Sequence, residues 1–420
     1  MAAPGKGLIV RHRSLLILTT ALATGALTLT ACGSRGEDKS GDGSKTTVVI
    51  GLDAPTTGEL SALGLGIRNS AQLAIDNANK TGEVKGITFK LEALDDKALP
   101  NVGQQNTTKL AGDKDVLGIV GPLNSGVAQS MQQVSKQNNL TLISPANTTP
   151  DLTQGPAWRK DKRVRQFPTY FRTATTDEVQ GAFDGQYAHE KMKAKTAYVI
   201  DDQKTYGVGL ASSFKDQFTK LGGKIVGTEH VSPDDRDFKA VVSKVKSKKP
   251  DLVFYGGEYP ASGPLSQQLK DGGVTVPLMG GDGMYSGDYI KLNKKAQGDY
   301  ASSVGKPVEE LPSAKKFIAD YKAAGFKEAY EAYGGSTYDA TWALIQAVKQ
   351  VVADNSGKLP DDARAKVVEA MNKVTFDGVT GKVAFDKYGD TTNTMITAYQ
   401  VDKGAWKSRF SAEFKKFDKS

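Results

Sequence analysis

VLGIVGPLNSGVAQSMQQVSKQNNLTLISPANTTP, residues 116–150, decides the fold. Val116 to Pro122 is an apolar run that stops on Gly121 and Pro122. Val127, Met131 and Val134 then recur at helical spacing, and Leu140 to Ala146 returns to a short apolar run. Strand, helix and strand in such short succession form the unit of a parallel sheet covered by helices.

The same alternation extends outward. TTVVIGL (46–52) reads as a buried strand, and the segment after it sets Ile67, Ala71, Ala74, Ile75 and Ala78 on one helical stripe. Ile87, Phe89 and Leu91 alternate as in a strand, and Val102 to Leu110 reads as a helix. A second series begins after a loop at Trp158. TAYVIDD (196–202) is followed by a helix with Leu210, Phe214, Phe218 and Leu221 along one face, then by KIVGTEHV, FKAVVSKVKSKKP, DLVFYGG and VPLMGGDG. Helical patterns dominate after Lys306. Residues 379–406 alternate around Gly389-Asp390, which predicts an antiparallel hairpin. The expected architecture is α/β, with two similar doubly wound units.

The N-terminus has a different composition. Residues 1–31 carry Lys6, Arg11 and Arg13 and no acidic residue, and Leu15 to Leu29 is uncharged. A basic segment followed by a short apolar one reads as a secretory signal peptide, too short to span a bilayer. It ends Leu29-Thr30-Ala31 at Cys32, the single cysteine of the 420 residues. This resembles a bacterial lipobox, in which the cysteine becomes the N-terminus and carries the acyl chains; two or three such chains anchor stably. Residues 33–45 hold glycine, serine and charge with no apolar side chain, a flexible tether. The expected location is the extracellular face of the cell membrane, held by lipid at Cys32.

A chain without further cysteines has neither a disulfide framework nor a cysteine metal site. The formal charge is +8, of which Lys6, Arg11 and Arg13 supply three, leaving +5. The remaining basic residues are dispersed, so no nucleic-acid surface is expected. The densest cluster, WRKDKRVR (158–165), reads as a solvated loop. The three histidines lack metal-ligand spacing. Motifs for metalloprotease, hydrolase, nucleotide or dinucleotide chemistry do not occur, and Asp95 and Asp96 stand out for no catalytic role. No enzyme activity, cofactor or metal is expected.

What the sequence does offer is a set of strand ends. In VGPLNSGVAQS a strand stops at Gly121 and a helix begins near Asn124 or Ser125, with Ser125 placed as its N-cap. A helix N-terminus favours an anion. ISPANTTP leaves hydroxyls and carbonyls at another strand end, and open α/β sheets bind ligands along that edge. In the second unit DDQKTYG, FYGGEYP and MGGDG offer Tyr206, Glu258 and Asp282. An anion holder facing acidic groups suits a zwitterion.

From VVIGLDAPTTGELSALG to the final hairpin, the chain resembles the branched-chain amino acid binding proteins of ABC importers. GPLNSG, ISPANTTPDLT, DDQKTYGVGLA, LVFYGGEYP and LMGGDG carry the resemblance. It implies a type I periplasmic binding protein, two doubly wound lobes joined by a three-stranded hinge with the ligand in the cleft. By resemblance, residues 46–172 and 306–378 form lobe 1, and 173–305 with 379–412 form lobe 2, after a signal at 1–31 and a tether at 32–45. The ligand carboxylate falls on Ser125 and Thr148, and its ammonium on the Ala146 carbonyl, the Thr148 hydroxyl and Asp282. Tyr206 comes from lobe 2, while Leu63, Leu123 and Asn124 complete the pocket. The implied ligand is Leu, Ile or Val, the implied partner an ABC permease, and a monomer is expected. Leu63 stands where an aromatic is frequent, Asp282 where Glu is frequent, and Glu258 where Tyr is frequent. Glu258 either points to solvent or reads a second cation on the ligand. That keeps a small amide, urea, a polyamine or a basic amino acid as the alternative ligand, and a sensor as the alternative role.

Overall fold

The computed structural model describes residues 45–414, so the signal segment, Cys32 and nearly all of the tether lie outside the described residues. Two sheets organise the chain. The first contains β1 (Thr46–Ala54), β2 (Ile87–Asp95), β3 (Val116–Val120), β4 (Thr141–Ser144) and β5 (Tyr170–Arg172), in the order β2-β1-β3-β4-β5 and parallel throughout. The second contains β6 (Thr196–Asp201), β7 (Lys224–His230), β8 (Leu252–Gly256), β9 (Leu278–Gly280) and β10 (Tyr300–Val304). A small two-stranded pair, β11 (Thr375–Gly378) and β12 (Gly381–Ala384), precedes the last hairpin, β13 (Met395–Asp402) and β14 (Ala405–Glu413). The second sheet runs β14-β13-β10-β9-β8-β6-β7; its first five strands in chain order are parallel, and β13 and β14 extend it antiparallel.

Helices cover both faces of each sheet because both faces are apolar. Val116, Ile119, Leu142, Val127 and Met131 form one core with the helices Pro100–Gly112 and Ser125–Gln137. On the opposite face Val48, Ile50, Leu117 and Ile143 meet Ile75 and Ala78 of Ser61–Thr81 and Leu344 and Val348 of Gly334–Asp354. The predicted stripe Ile67, Ala71, Ala74, Ile75 and Ala78 is buried throughout. Under the second sheet Leu210, Phe214 and Phe218 pack on Phe254, with the Phe214 and Phe254 rings 3.8 Å apart.

Three expectations change. Residues 379–406 do not form one hairpin around Gly389-Asp390. β11 and β12 pair with each other, β13 and β14 turn at Lys403-Gly404, and Gly389-Asp390 lies between the two pairs. There Asp390 meets the fully buried Arg172, Nε to Oδ1 2.6 Å. Ser125 is not the N-cap: it is the first helical residue, and Asn124 holds the extended cap position. WRKDKRVR is not simply solvated. Arg159 and Arg163 lie over the buried Trp158 ring, Arg163 pairs with Glu178, and Arg165 donates to the Tyr170 and Pro168 carbonyls. Around a buried indole the guanidiniums pack as planes as well as charges.

Candidate functional site

In each sheet the strand order reverses once beside the first strand of its unit, and ligands favour the crevice at such a reversal. In the first sheet it lies between β1 and β3, whose ends lead to Pro55–Thr57 and to Gly121–Ser125. In the second it lies between β6 and β8, which lead to Asp202–Tyr206 and Gly257–Tyr259. The two crevices face each other, and a cavity of about 590 Å³ lies between them, lined by residues of both, including Asn124, Ser125, Lys204 and Glu258.

The first-sheet wall is tied together by its own side chains. Gly121 turns with φ +116°, and a Cβ there would sit 2.0 Å from the Asp53 carbonyl oxygen, so only glycine lets the two strand ends approach. Ser144 Oγ donates to the Pro122 carbonyl (2.8 Å) and accepts from the Ala146 and Asn147 amides. Asn147 Nδ2 donates to the Leu123 carbonyl at 2.7 Å. Arg172 then donates to the Asn147 and Thr149 carbonyls and to Thr153 Oγ1, while Asp390 balances its charge. Burial, the largest influence, lowers the Arg172 pKa, but the charge and hydrogen bond of Asp390 together with the nearby Tyr170 and Asp177 raise it on balance. Burial likewise pushes Asp390 up, but Arg172 with the hydrogen bonds from Gln154 and Thr153 brings it below its ordinary value. The loop carrying Ala146 and Thr148 is thus fixed by a buried ion pair in which all three guanidinium nitrogens donate.

Against this wall lies a second, small cavity of about 20 Å³, room for little more than one water molecule. Seven of the nine residues predicted for the ligand line it: Leu63, Leu123, Asn124, Ser125, Ala146, Tyr206 and Glu258, joined by Gly283 and Tyr333. The other two, Thr148 and Asp282, are fully buried and do not line it. Asp282 sits behind the tyrosines, accepting from Tyr206 Oη at 2.8 Å and from Tyr333 Oη at 3.0 Å. Burial raises its pKa, and the two phenols oppose that rise. Thr148 lies beside Asp177, whose amide donates to the Thr148 carbonyl at 2.7 Å. Burial pushes the Asp177 carboxyl up to about 7, the Thr148 hydroxyl pulling the other way.

Glu258 neither points to solvent nor stands uncompensated. It occupies the cap position of the helix Tyr259–Asp271, accepts from Asn124 across the cleft on Oε1, and meets Lys204 Nζ on Oε2 at 2.7 Å. Other contacts also join the two walls: Arg236 with Glu59, and the Tyr259 hydroxyl with the Glu59 carbonyl. Sequence reasoning missed Lys204, Tyr333 and Asp177. Lys204 lay inside the quoted DDQKTYG, two residues before Tyr206, and could have been noticed; Tyr333 and Asp177 had no local signal. Among the described residues, no group of three or more His, Cys, Asp or Glu side chains is placed to hold a metal ion, and no helix is long and apolar enough to cross a membrane.

Two doubly wound sheets whose reversal points face each other across a cleft define a type I periplasmic binding protein fold, built to take a small molecule between its halves. The periplasmic binding protein family model matches residues 47–405, and the chain belongs to that family of solute-binding receptors. It is 30% identical over 357 residues to the Leu/Ile/Val-binding protein BraC3 of Rhizobium johnstonii, covering 85% of this chain and 92% of that one. The leucine binding protein LivK of Thermotoga maritima superposes with a TM-score of 0.76 at 26% identity, covering 87% of this chain and 98% of the other. The branched-chain amino acid transporter substrate binding protein LivJ of Streptococcus pneumoniae, in complex with isoleucine, gives 0.76 at 26% identity over 87% and 99%. A solute binding protein of R. palustris in complex with benzoate also gives 0.76, at 20% identity over 89% and 98%.

Proposed function

We propose that this protein is the receptor of an ABC importer and binds an aliphatic amino acid, Leu, Ile or Val, between its two sheet units. The observation that carries the reading is the small cavity in which Leu63, Leu123 and Ala146 supply apolar surface beside the Ser125 helix start and the Asp282-bound tyrosines. On this reading the ligand carboxylate takes Ser125 and Thr148, and the ammonium takes the Ala146 carbonyl, Thr148 and Asp282. About 20 Å³ is far too small for leucine, so ligand enters when the halves part and is held as they close. On this reading the same motion has to expose Thr148 and Asp282, both fully buried as the halves stand.

The lobes would be 46–172 with the helices after 306, and 173–305 with the terminal hairpin. We place the third crossing after Phe385 rather than at 378, because Val383 and Phe385 pack in the first unit's core. The names of the 30%-identical relative and of the two solved structures at 26% support the ligand class and the transport role. The pairing of Glu258 with Lys204 favours a ligand with one cation over a basic one.

Titration calorimetry of residues 46–420 with Leu, Ile, Val, Arg, urea and spermidine tests this. Saturable heat with the aliphatic three is expected, and Thr148→Val should weaken it by roughly one to four decades through one or two charge-assisted bonds. No heat with any of the three, or unchanged affinity in folded Thr148→Val, would refute the assignment. The receptor works as a lipid-anchored monomer on this proposal. Cys32→Ala should leave the membrane fraction or keep its signal, and a mutant at mature size that still sediments with membranes would count against the anchor.

A further inference from the structure

We propose that Lys204 sets the charge class of the ligand: by engaging Glu258 it keeps the roof of the small cavity from presenting a free carboxylate, so that basic amino acids are rejected in favour of aliphatic ones. This rests on the amino-acid reading above and adds a determinant to it.

Glu258 lines both the small cavity and the larger one outside it, as do Asn124, Ser125 and Tyr206. Among the acidic side chains of the outer cavity, Glu59, Asp202, Asp234 and Glu258, it is the one that also lines the inner cavity, so a ligand reaching outward meets it first. Its side chain is only 11% exposed, and an unneutralised carboxylate there is costly. Both its oxygens are taken, Oε1 by the Asn124 amide of the facing wall and Oε2 by Lys204 Nζ at 2.7 Å. The cation comes from the chain, not from the ligand. Lys204 is held for this purpose: it caps the helix Thr205–Lys220, and its amide donates to Asp202 Oδ1 at 3.0 Å. Asp202 also faces the ammonium, and its own carboxyl is raised to about 7 by burial and then by the Glu258 charge. Asp234 and Lys97 line the outer cavity as well. With Glu258 neutralised, a guanidinium or second ammonium extended past Asn124 finds Lys204 opposite it, a like charge that discriminates strongly when desolvated.

The test is calorimetry of the whole mature chain with L-leucine and L-arginine, for wild type, Lys204→Met, Lys204→Arg and Lys204→Met with Glu258→Gln. Wild type should prefer leucine. Lys204→Met should raise arginine affinity relative to leucine by at least about tenfold, since a close charge pair is gained and a repulsion lost. Lys204→Arg should keep the wild-type preference, and adding Glu258→Gln should abolish the gain. A Lys204→Met ratio equal to that of wild type overturns the proposal, as does a wild type that takes arginine as tightly as leucine. A wild type that binds neither amino acid overturns the amino-acid reading itself, and this inference with it.

Discussion

Two ion pairs flank the cleft and do different work. Arg172 and Asp390 are closed off from solvent, surrounded by carbonyls and hydroxyls, and joined across 218 residues of sequence. Lys204 and Glu258 sit at the cavity wall, with the lysine side chain 35% exposed. The first pair fixes a loop that has to stay in one place. The second lies where the two walls meet, and Asn124 of the facing wall donates to Glu258 there. The contrast shows how burial converts the same chemistry from scaffold to selector: a fully desolvated pair cannot be opened without leaving a bare charge, whereas a half-solvated one can exchange partners.

The largest effect should come from breaking the scaffold pair. Asp390→Ala leaves Arg172 buried without its counter-charge and should cost about 3–5 kcal/mol in chemical denaturation. Asp390 has a folded pKa below its unfolded value, so its stabilisation is complete above about 3.8 and is lost as pH falls through the lower folded value. The acid limb of the wild-type stability curve should be flatter in the variant. A loss under 1 kcal/mol would break the comparison.

A buried acidic pair with no cation sharpens it. Asp53 and Asp96 are fully buried at the ends of β1 and β2, and among the described residues neither forms an ion pair. Burial raises Asp96 to about 7, with Asp95 adding to the rise. A raised carboxyl binds more protons folded than unfolded, so stability falls as pH climbs from about 4 to 7. Asp96→Asn keeps the acceptor for the Ala98 amide and removes that penalty. It should be more stable than wild type by about 1–2 kcal/mol at pH 8, the gain shrinking at pH 5. Equal stability of the two proteins at pH 8 would remove the argument.

The smallest effect should be on the selector pair. Lys204→Met should cost about 1 kcal/mol of unfolding free energy: Glu258 loses its cation, but the 35% exposed lysine position lets water replace it, which the closed Arg172–Asp390 site does not allow. A loss as large as that of Asp390→Ala would make Lys204 scaffold as well.

Local patterning was enough to read the strands and helices whose cores are apolar at a regular period. The strand-helix-strand unit at 116–150, the Ile67–Ala78 stripe and the Leu210–Phe218 face follow from one-sided burial, which leaves its period in the sequence. Four elements left no such trace. β5 has three residues, and β10 buries Ser302 and Ser303, which look like loop residues until Gln180 supplies a donor. Tyr259–Asp271 contains Pro260 and Pro264, and Asp177–Gln186 begins on a buried carboxyl and runs into a π-helical turn. Strand ends and motif order likewise carried Ser125, Ala146 and Tyr206 to the cavity. What they could not carry was pairing between residues far apart in the chain. Whether Glu258 meets a ligand, solvent or Lys204, whether Asp282 stands open or behind Tyr206 and Tyr333, and why Gly389-Asp390 interrupts a hairpin pattern all depend on which distant side chain arrives. Hydrophobic period is a property of neighbours along the chain, so sequence determined the layers of this fold. The partner of a buried charge is set by three-dimensional proximity, so only the tertiary structure decided the electrostatics of its site.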